Sequence, residues 1–134
     1  MKRDLPDNIV EDIAIAIVLE EEHVEARSWK VYILNLKNVD IQNVLISSKG
    51  YGTLNGEDVK TTVFRHFIGD LKSGSSSAIE LIDEKLFAIN NEFWLSYYIN
   101  GVIYDKKFIF LTESITESNF IRIPIVNKPG VMIK

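Results

Sequence analysis

The sequence contains no cysteine, which excludes a disulfide framework and thiolate metal ligation alike. It also lacks an excess of positive charge. Its 15 basic and 19 acidic side chains leave a formal charge of −4, which argues against nucleic acid as a partner, because counterion release needs a basic face. No Asn-x-Ser/Thr sequon occurs. Near the N-terminus the longest apolar run, Ile13–Leu19, is seven residues, against about 20 for a membrane-spanning helix. The opening Met1-Lys2-Arg3-Asp4-Leu5-Pro6 has two basic residues but no apolar stretch behind it, and Glu11 and Asp12 interrupt the first hydrophobic segment. These absences lead to the expectation of a cytoplasmic protein without a membrane partner.

What is present is an ordinary globular composition. With 134 residues, 46% hydrophobic and 25% charged, the chain suits one domain over residues 1–134 whose core needs no staples. Residues 1–8 read as a flexible start, and residues 112–134 as a polar connector followed by an extended C-terminal arm.

Hydrophobic period two dominates. Ile13, Ile15, Ile17 and Leu19 alternate with Ala14, Ala16 and Val18, which predicts a strand with one large and one small face. A helix competes here, because Asn8 and Glu11 could form a capping box, but it would be apolar around most of its circumference. Glu20–Ser28 reads as a charged connector. Strands are expected over Trp29–Leu36 and Ile41–Ser48, then a loop or short hairpin over Lys49–Asp58 punctuated by Gly50, Gly52 and Gly56. Val59–Ile68, rich in β-branched and aromatic residues, predicts a fourth strand. Gly69–Ser76 reads as a loop and Ser77–Asp83 as a fifth strand.

Phe93–Leu111 carries the strongest local signal: alternating aromatics, then Asn100-Gly101, then a second extended run. Asn-Gly suits the positive φ values of a type I′ turn, so a tight hairpin is predicted. A last extended segment, Phe120–Val126, contains Pro124, which confines it to an edge or an unpaired arm. Seven to eight short strands without intervening long helices predict an all-β fold, an antiparallel two-sheet β-sandwich of immunoglobulin-like type. A tryptophan near the start of the second strand and an aromatic-rich penultimate strand agree with that type.

Four stretches, Trp29-Lys30-Val31-Tyr32, Ser47-Ser48-Lys49-Gly50-Tyr51-Gly52, Lys60-Thr61-Thr62 with Arg65-His66-Phe67, and Tyr104-Asp105-Lys106-Lys107-Phe108-Ile109-Phe110, resemble a set of small bacterial proteins of unknown function. The resemblance runs over most of the chain and implies no activity.

Chemistry-bearing motifs are few. His23-Val24-Glu25 matches half of a zinc deaminase signature, but the cysteine half is missing. Glu20, Glu22, His23 and Glu25 could loosely hold a divalent cation through oxygen ligands, but a solvated charged connector explains the same residues, and no metal or other cofactor is expected. No Gly-x-Ser-x-Gly elbow accompanies the serines and His66, so no catalytic residue is assigned, and His66 is expected at an apolar face as a structural histidine. The sharpest small-molecule reading places an anion on the backbone N–H groups of Ser48-Lys49-Gly50-Tyr51-Gly52, assisted by Lys60, Arg65 or His66. Glycines of positive φ at a sheet corner are the alternative for that segment.

Two features point to protein partners. Trp94, Tyr98 and Tyr104 are candidates for an exposed aromatic strip on the outer face of the hairpin. Ile121, Ile123 and Ile125 alternate in the C-terminal arm, which wants a groove or sheet edge of its own chain or of another copy. An Ile-x-Ile tail beside a β-sandwich is similar to small heat-shock chaperones in that respect alone. Lys106 and Lys107 read as protection of a sheet edge. The sequence therefore leads to a non-catalytic protein-interaction or accessory domain, with a homodimer through edge pairing or the arm as one form of it.

Overall fold

The computed structural model describes residues 8–23 and 25–134. Ten strands form two antiparallel sheets packed face to face as a sandwich: β1 (Ile13–Glu22), β2 (Arg27–Asn35), β3 (Ile41–Leu54), β4 (Glu57–Lys60), β5 (Phe64–Leu71), β6 (Ser76–Ile82), β7 (Asn90–Ile99), β8 (Val102–Phe110), β9 (Ile121–Arg122) and β10 (Pro129–Ile133). The first sheet has the order β6-β2-β1-β10-β9. In the second, β7 and β8 lie on one side of the long β3, while β4 and β5 pair with successive parts of its other side. Most of the expected flexible segment 1–8 lies outside the described residues; of it, Asn8 donates its side-chain amide to the Ile103 carbonyl at 2.8 Å.

The predicted sandwich is present, with more strands than the seven or eight expected. The region 8–27 holds strand β1, not a helix. Much of the expected connector Glu20–Ser28 is strand, since β1 runs on to Glu22 and β2 begins at Arg27. The expected strand Val59–Ile68 is two strands, separated at Thr61–Val63. The expected loop after Gly69 begins only after Leu71.

Both Asn-Gly pairs make tight hairpins. Asn100 and Gly101 have φ of 50° and 76°, Asn55 and Gly56 have 52° and 79°, the left-handed values that a type I′ turn requires.

Inward-facing residues of both sheets meet in one core: Ile13, Ile15, Ile17, Val31 and Ile33 from the first sheet, Ile41, Ile46, Phe93, Leu95, Tyr97, Phe108 and Phe110 from the second. Tyr97 stacks on Tyr104 at 5.3 Å, and its buried hydroxyl has no hydrogen-bond partner among the described residues. Burial, with Tyr104 and Glu11 nearby, pushes that phenol up to about 12. Polar ties also link the sheets. Asn35, at the end of β2, donates to the Leu71 carbonyl of β5 at 3.1 Å. Glu80 of β6 accepts from Ser48 of β3 and bonds His66 of β5, each at 2.7 Å.

The C-terminal arm departs most from expectation. Only Ile121–Arg122 of Phe120–Val126 is strand. Ile123 to Lys128 then forms a turn, and the final strand is β10, which the Pro129-Gly130 pair disguised in the sequence. β10 pairs with β1 of its own chain. Ile123 is fully buried on the small face of β1, packed with Ala14, Ala16, Val18 and Leu34. A buried isoleucine of this kind contributes roughly 2 kcal/mol.

A polar latch pins this flap. Glu20 accepts hydrogen bonds from Tyr32 and from Lys128 at the flap's end, with the Lys30 ammonium at 3.7 Å. Burial alone pushes the Glu20 carboxyl up, but Lys128, Tyr32 and Lys30 outweigh it and hold the group below its ordinary value. Burial and the same carboxylate push the Tyr32 phenol up to about 12, so it stays a donor.

Two tests follow from the flap. A Cβ on Gly130 would stand 2.4 Å from the Ile17 carbonyl oxygen, so Gly130→Ala is expected to cost about 2–3 kcal/mol, read as a lower urea midpoint with unchanged slope; an unmoved midpoint contradicts the close packing. Because the folded Glu20 carboxyl titrates below the unfolded one, its contribution is complete above the ordinary carboxylate range and is lost as pH falls through the folded value. Glu20→Gln is expected to be about 1 kcal/mol less stable at neutral pH and to show a shallower loss in acid. Equal acid limbs for both proteins would remove the latch.

Candidate functional site

The second sheet carries the chain's one broad apolar surface among the described residues. Register and alternation determine it. Leu45, Ser47 and Lys49 point outward from β3, opposite inward Val44, Ile46 and Ser48. On one side Ser47 faces Arg65 and Leu45 faces Phe67 of β5. On the other side Lys49 faces Glu92, Ser47 faces Trp94, and Leu45 faces Ser96 of β7. β7 in turn sets Glu92 beside Ile109, Trp94 beside Lys107, Ser96 beside Asp105, and Tyr98 beside Ile103 of β8.

Two central rows therefore cross four strands: Arg65–Ser47–Trp94–Lys107 and Phe67–Leu45–Ser96–Asp105. Ile109 and Glu92 flank them at one end, Tyr98 and Ile103 at the other. Phe67 is 69% exposed, Ile103 49%, Trp94 46% and Leu45 42%. Side chains this apolar and this exposed on one contiguous face mark an interaction surface more often than scattered surface hydrophobes do. Around Trp94 the polar groups are ordered: its indole N–H donates to Asp105 at 3.2 Å, and the Lys107 ammonium lies 4.5 Å over its ring.

Of the three aromatics expected on this surface, Trp94 and Tyr98 are there and Tyr104 is not. Tyr104 pairs with Tyr97 and shares its inward face, because 104 is out of phase with the outward residues 103, 105 and 107 of β8. In the arm, Ile123 is buried against β1, while Ile121 and Ile125 are exposed at 48% and 38%. The bend between Ile123 and Lys128 breaks their alternation, so the three isoleucines do not form one strip.

The anion site expected around Ser48–Gly52 has the wrong backbone for that task. This segment is the middle of β3, laddered to β7 on one side and to β4 and β5 on the other. Gly50 donates its N–H to Thr61 Oγ1 at 2.8 Å and accepts from Thr61 N–H, which leaves no set of N–H groups converging on an anion. Gly50 and Gly52 do not have positive φ. They are glycine because Ile89 occupies the space a Cβ would need, 2.9 Å away at Gly50 and 3.2 Å at Gly52.

The side chains divide as well. Ser48 and His66 turn inward to Glu80, whereas Lys49, Tyr51, Lys60 and Arg65 share the outer face. Lys49 lies 3.7 Å from Glu92, and the Tyr51 hydroxyl donates to Glu92 at 3.3 Å. Burial, then Glu92, pushes the Tyr51 phenol above its ordinary value. Ser48 and His66 meet on one carboxylate oxygen, an arrangement that ties the two sheets together and points the serine O–H at Glu80.

At the charged turn, Glu20 is committed to the latch, and His23 bonds Glu21 at 2.9 Å. Among the described residues no three His, Asp or Glu side chains converge as metal ligands.

One feature escaped the sequence reading. At one end of the sandwich a cleft of about 480 Å³ is lined by Trp29, Phe87, Ile115 and Phe120. Trp29 meets Phe87 edge-on at 4.9 Å and Phe120 at 5.8 Å, and donates its indole N–H to Glu84 at 3.2 Å. Arg27 bridges Glu84 at 2.5 Å and Glu117 at 3.6 Å while lying 5.4 Å over the Trp29 ring. Arg27, itself part of the lining, thus ties Glu84 to Glu117 of the connector Thr112–Phe120. These residues come from three distant stretches, and no local spacing announces them. No family model, curated protein or solved structure matches the chain, so its function rests on its own geometry.

Proposed function

We propose that the chain is a non-catalytic protein-interaction domain that binds through the outer face of its second sheet. The observation that carries this reading is the contrast between the two sheets. The chain's own flap covers the outer face of the first sheet at its central strands and leaves Leu81 exposed on the edge strand β6. The second displays Phe67, Leu45, Trp94, Tyr98 and Ile103 to solvent. Exposed aromatics surrounded by paired charges are the composition of a protein-binding patch. The net charge of −4 makes the same aromatics poor candidates for stacking nucleic-acid bases, which need a basic groove beside them.

The immunoglobulin-like reading of the fold belongs to this proposal. Its support is strand order: β2 lies between β1 and β6, and β7 between β3 and β8, as B lies between A and E, and F between C and G, in such sandwiches. The cytoplasmic placement is supported by the cysteine-free composition. Among the described residues no helix is long and apolar enough to cross a membrane.

A photoreactive residue introduced in place of Ser96, at the centre of the face, tests the proposal in cells. Discrete cross-linked adducts are expected from position 96 and none from Asn38, an exposed turn residue. The pair Phe67→Ser and Trp94→Ser is expected to abolish them while shifting stability by no more than about 1 kcal/mol. Adducts that persist in the double variant would place binding elsewhere.

A further inference from the structure

The pattern on this face is self-complementary, and we propose that its occupant is a second copy of the chain, packed face to face about a two-fold axis. The inference rests on the interaction reading above and names its partner.

A two-fold axis that stacks two identical faces must lie in the plane between them. Here it runs perpendicular to the strands, between the rows Arg65–Ser47–Trp94–Lys107 and Phe67–Leu45–Ser96–Asp105. Each row then lies over the other row of the partner copy. Lys107 stands over Asp105 of the partner copy, and Asp105 over its Lys107, which forms two opposite-charge contacts. Trp94 lies over the partner copy's Ser96 and Leu45 over its Ser47, so large residues meet small ones. Arg65 covers the partner copy's Phe67, a guanidinium on an aromatic face. At the ends, Ile109 meets Ile103. Every strand lies over its own counterpart, antiparallel, in the aligned manner of stacked sheets.

The alternative in-plane axis, parallel to the strands, puts Arg65 over Lys107 and Phe67 over Asp105. The charge pattern thus selects one of the two simple stackings. Four strands at about 4.8 Å and four rows at about 6.8 Å give a face of roughly 19 by 27 Å. That is at the low end for specific interfaces, so the dimer is expected to be weak and concentration-dependent.

Sedimentation equilibrium over a concentration series tests this on the full chain. The wild type is expected to pass from monomer to dimer. Lys107→Glu sets like charges opposite one another twice, and should weaken the dimer about tenfold or more. Asp105→Lys alone should do the same. Lys107→Glu combined with Asp105→Lys exchanges the charges and should restore the dimer, which a merely structural role for either residue would not predict. Circular dichroism melts confirm that each variant is folded.

A wild type that stays monomeric overturns the proposal, as does a dimer insensitive to Lys107→Glu, or a double variant no better than the singles. If the wild type is monomeric yet the position-96 adducts form with another protein, the dimer falls and the binding surface stands. If neither a dimer nor adducts appear, both readings fall.

Discussion

A strand with no polar face must be covered twice, and β1 is such a strand. Every side chain from Ile13 to Leu19 is buried. The large face, Ile13, Ile15, Ile17 and Leu19, contributes to the core between the sheets. The small face, Ala14, Ala16 and Val18, would meet water but for the flap that Ile123 anchors. Much of the architecture follows from this need. β10 has to run beside β1 to carry the flap, Gly130 has to be glycine because backbone passes so close, and Glu20 has to collect a tyrosine and two lysines to hold the flap's end. Alanines on the covered face let the flap lie close, where larger residues would hold it off.

The same solution leaves the two sheets unequal. One has the centre of its outer face closed by its own chain, and the other presents aromatic and aliphatic side chains over four strands. The second sheet's edge at β8 is guarded differently, by Lys106 and Lys107, which point to opposite faces as edge protection requires. The edge is blunted by lysine while the face is left apolar. Around Trp94 the charges are held in place by the indole itself, Asp105 through its N–H and Lys107 over its ring.

Legibility varied with the range of the interactions. The alternation of Phe93–Ile99, the Asn100-Gly101 turn and the period-two run from Ile13 are local, and each predicted the element found. Failures were of two kinds. Gly50 and Gly52 look like loop residues, yet they lie within a strand because Ile89, nearly forty positions away, packs against them. Pro129-Gly130 has poor strand propensity, yet it opens a strand beside β1, where Gly130 lies against the Ile17 backbone. In both cases glycine serves a packed contact, which no short window of sequence contains.

The sequence by itself determined the class of structure: side chains alternating at period two bury only as extended chain, and positive-φ turn pairs close that chain into hairpins. It also determined which chemistries lack their residues. Which face of each strand would be exposed was decided only in the tertiary structure. Coverage depends on segments far apart in the chain, Ile123 over Ala14 and Ala16, Glu80 between Ser48 and His66. The outward rows through Trp94 and Leu45 exist only once four strands are set in register.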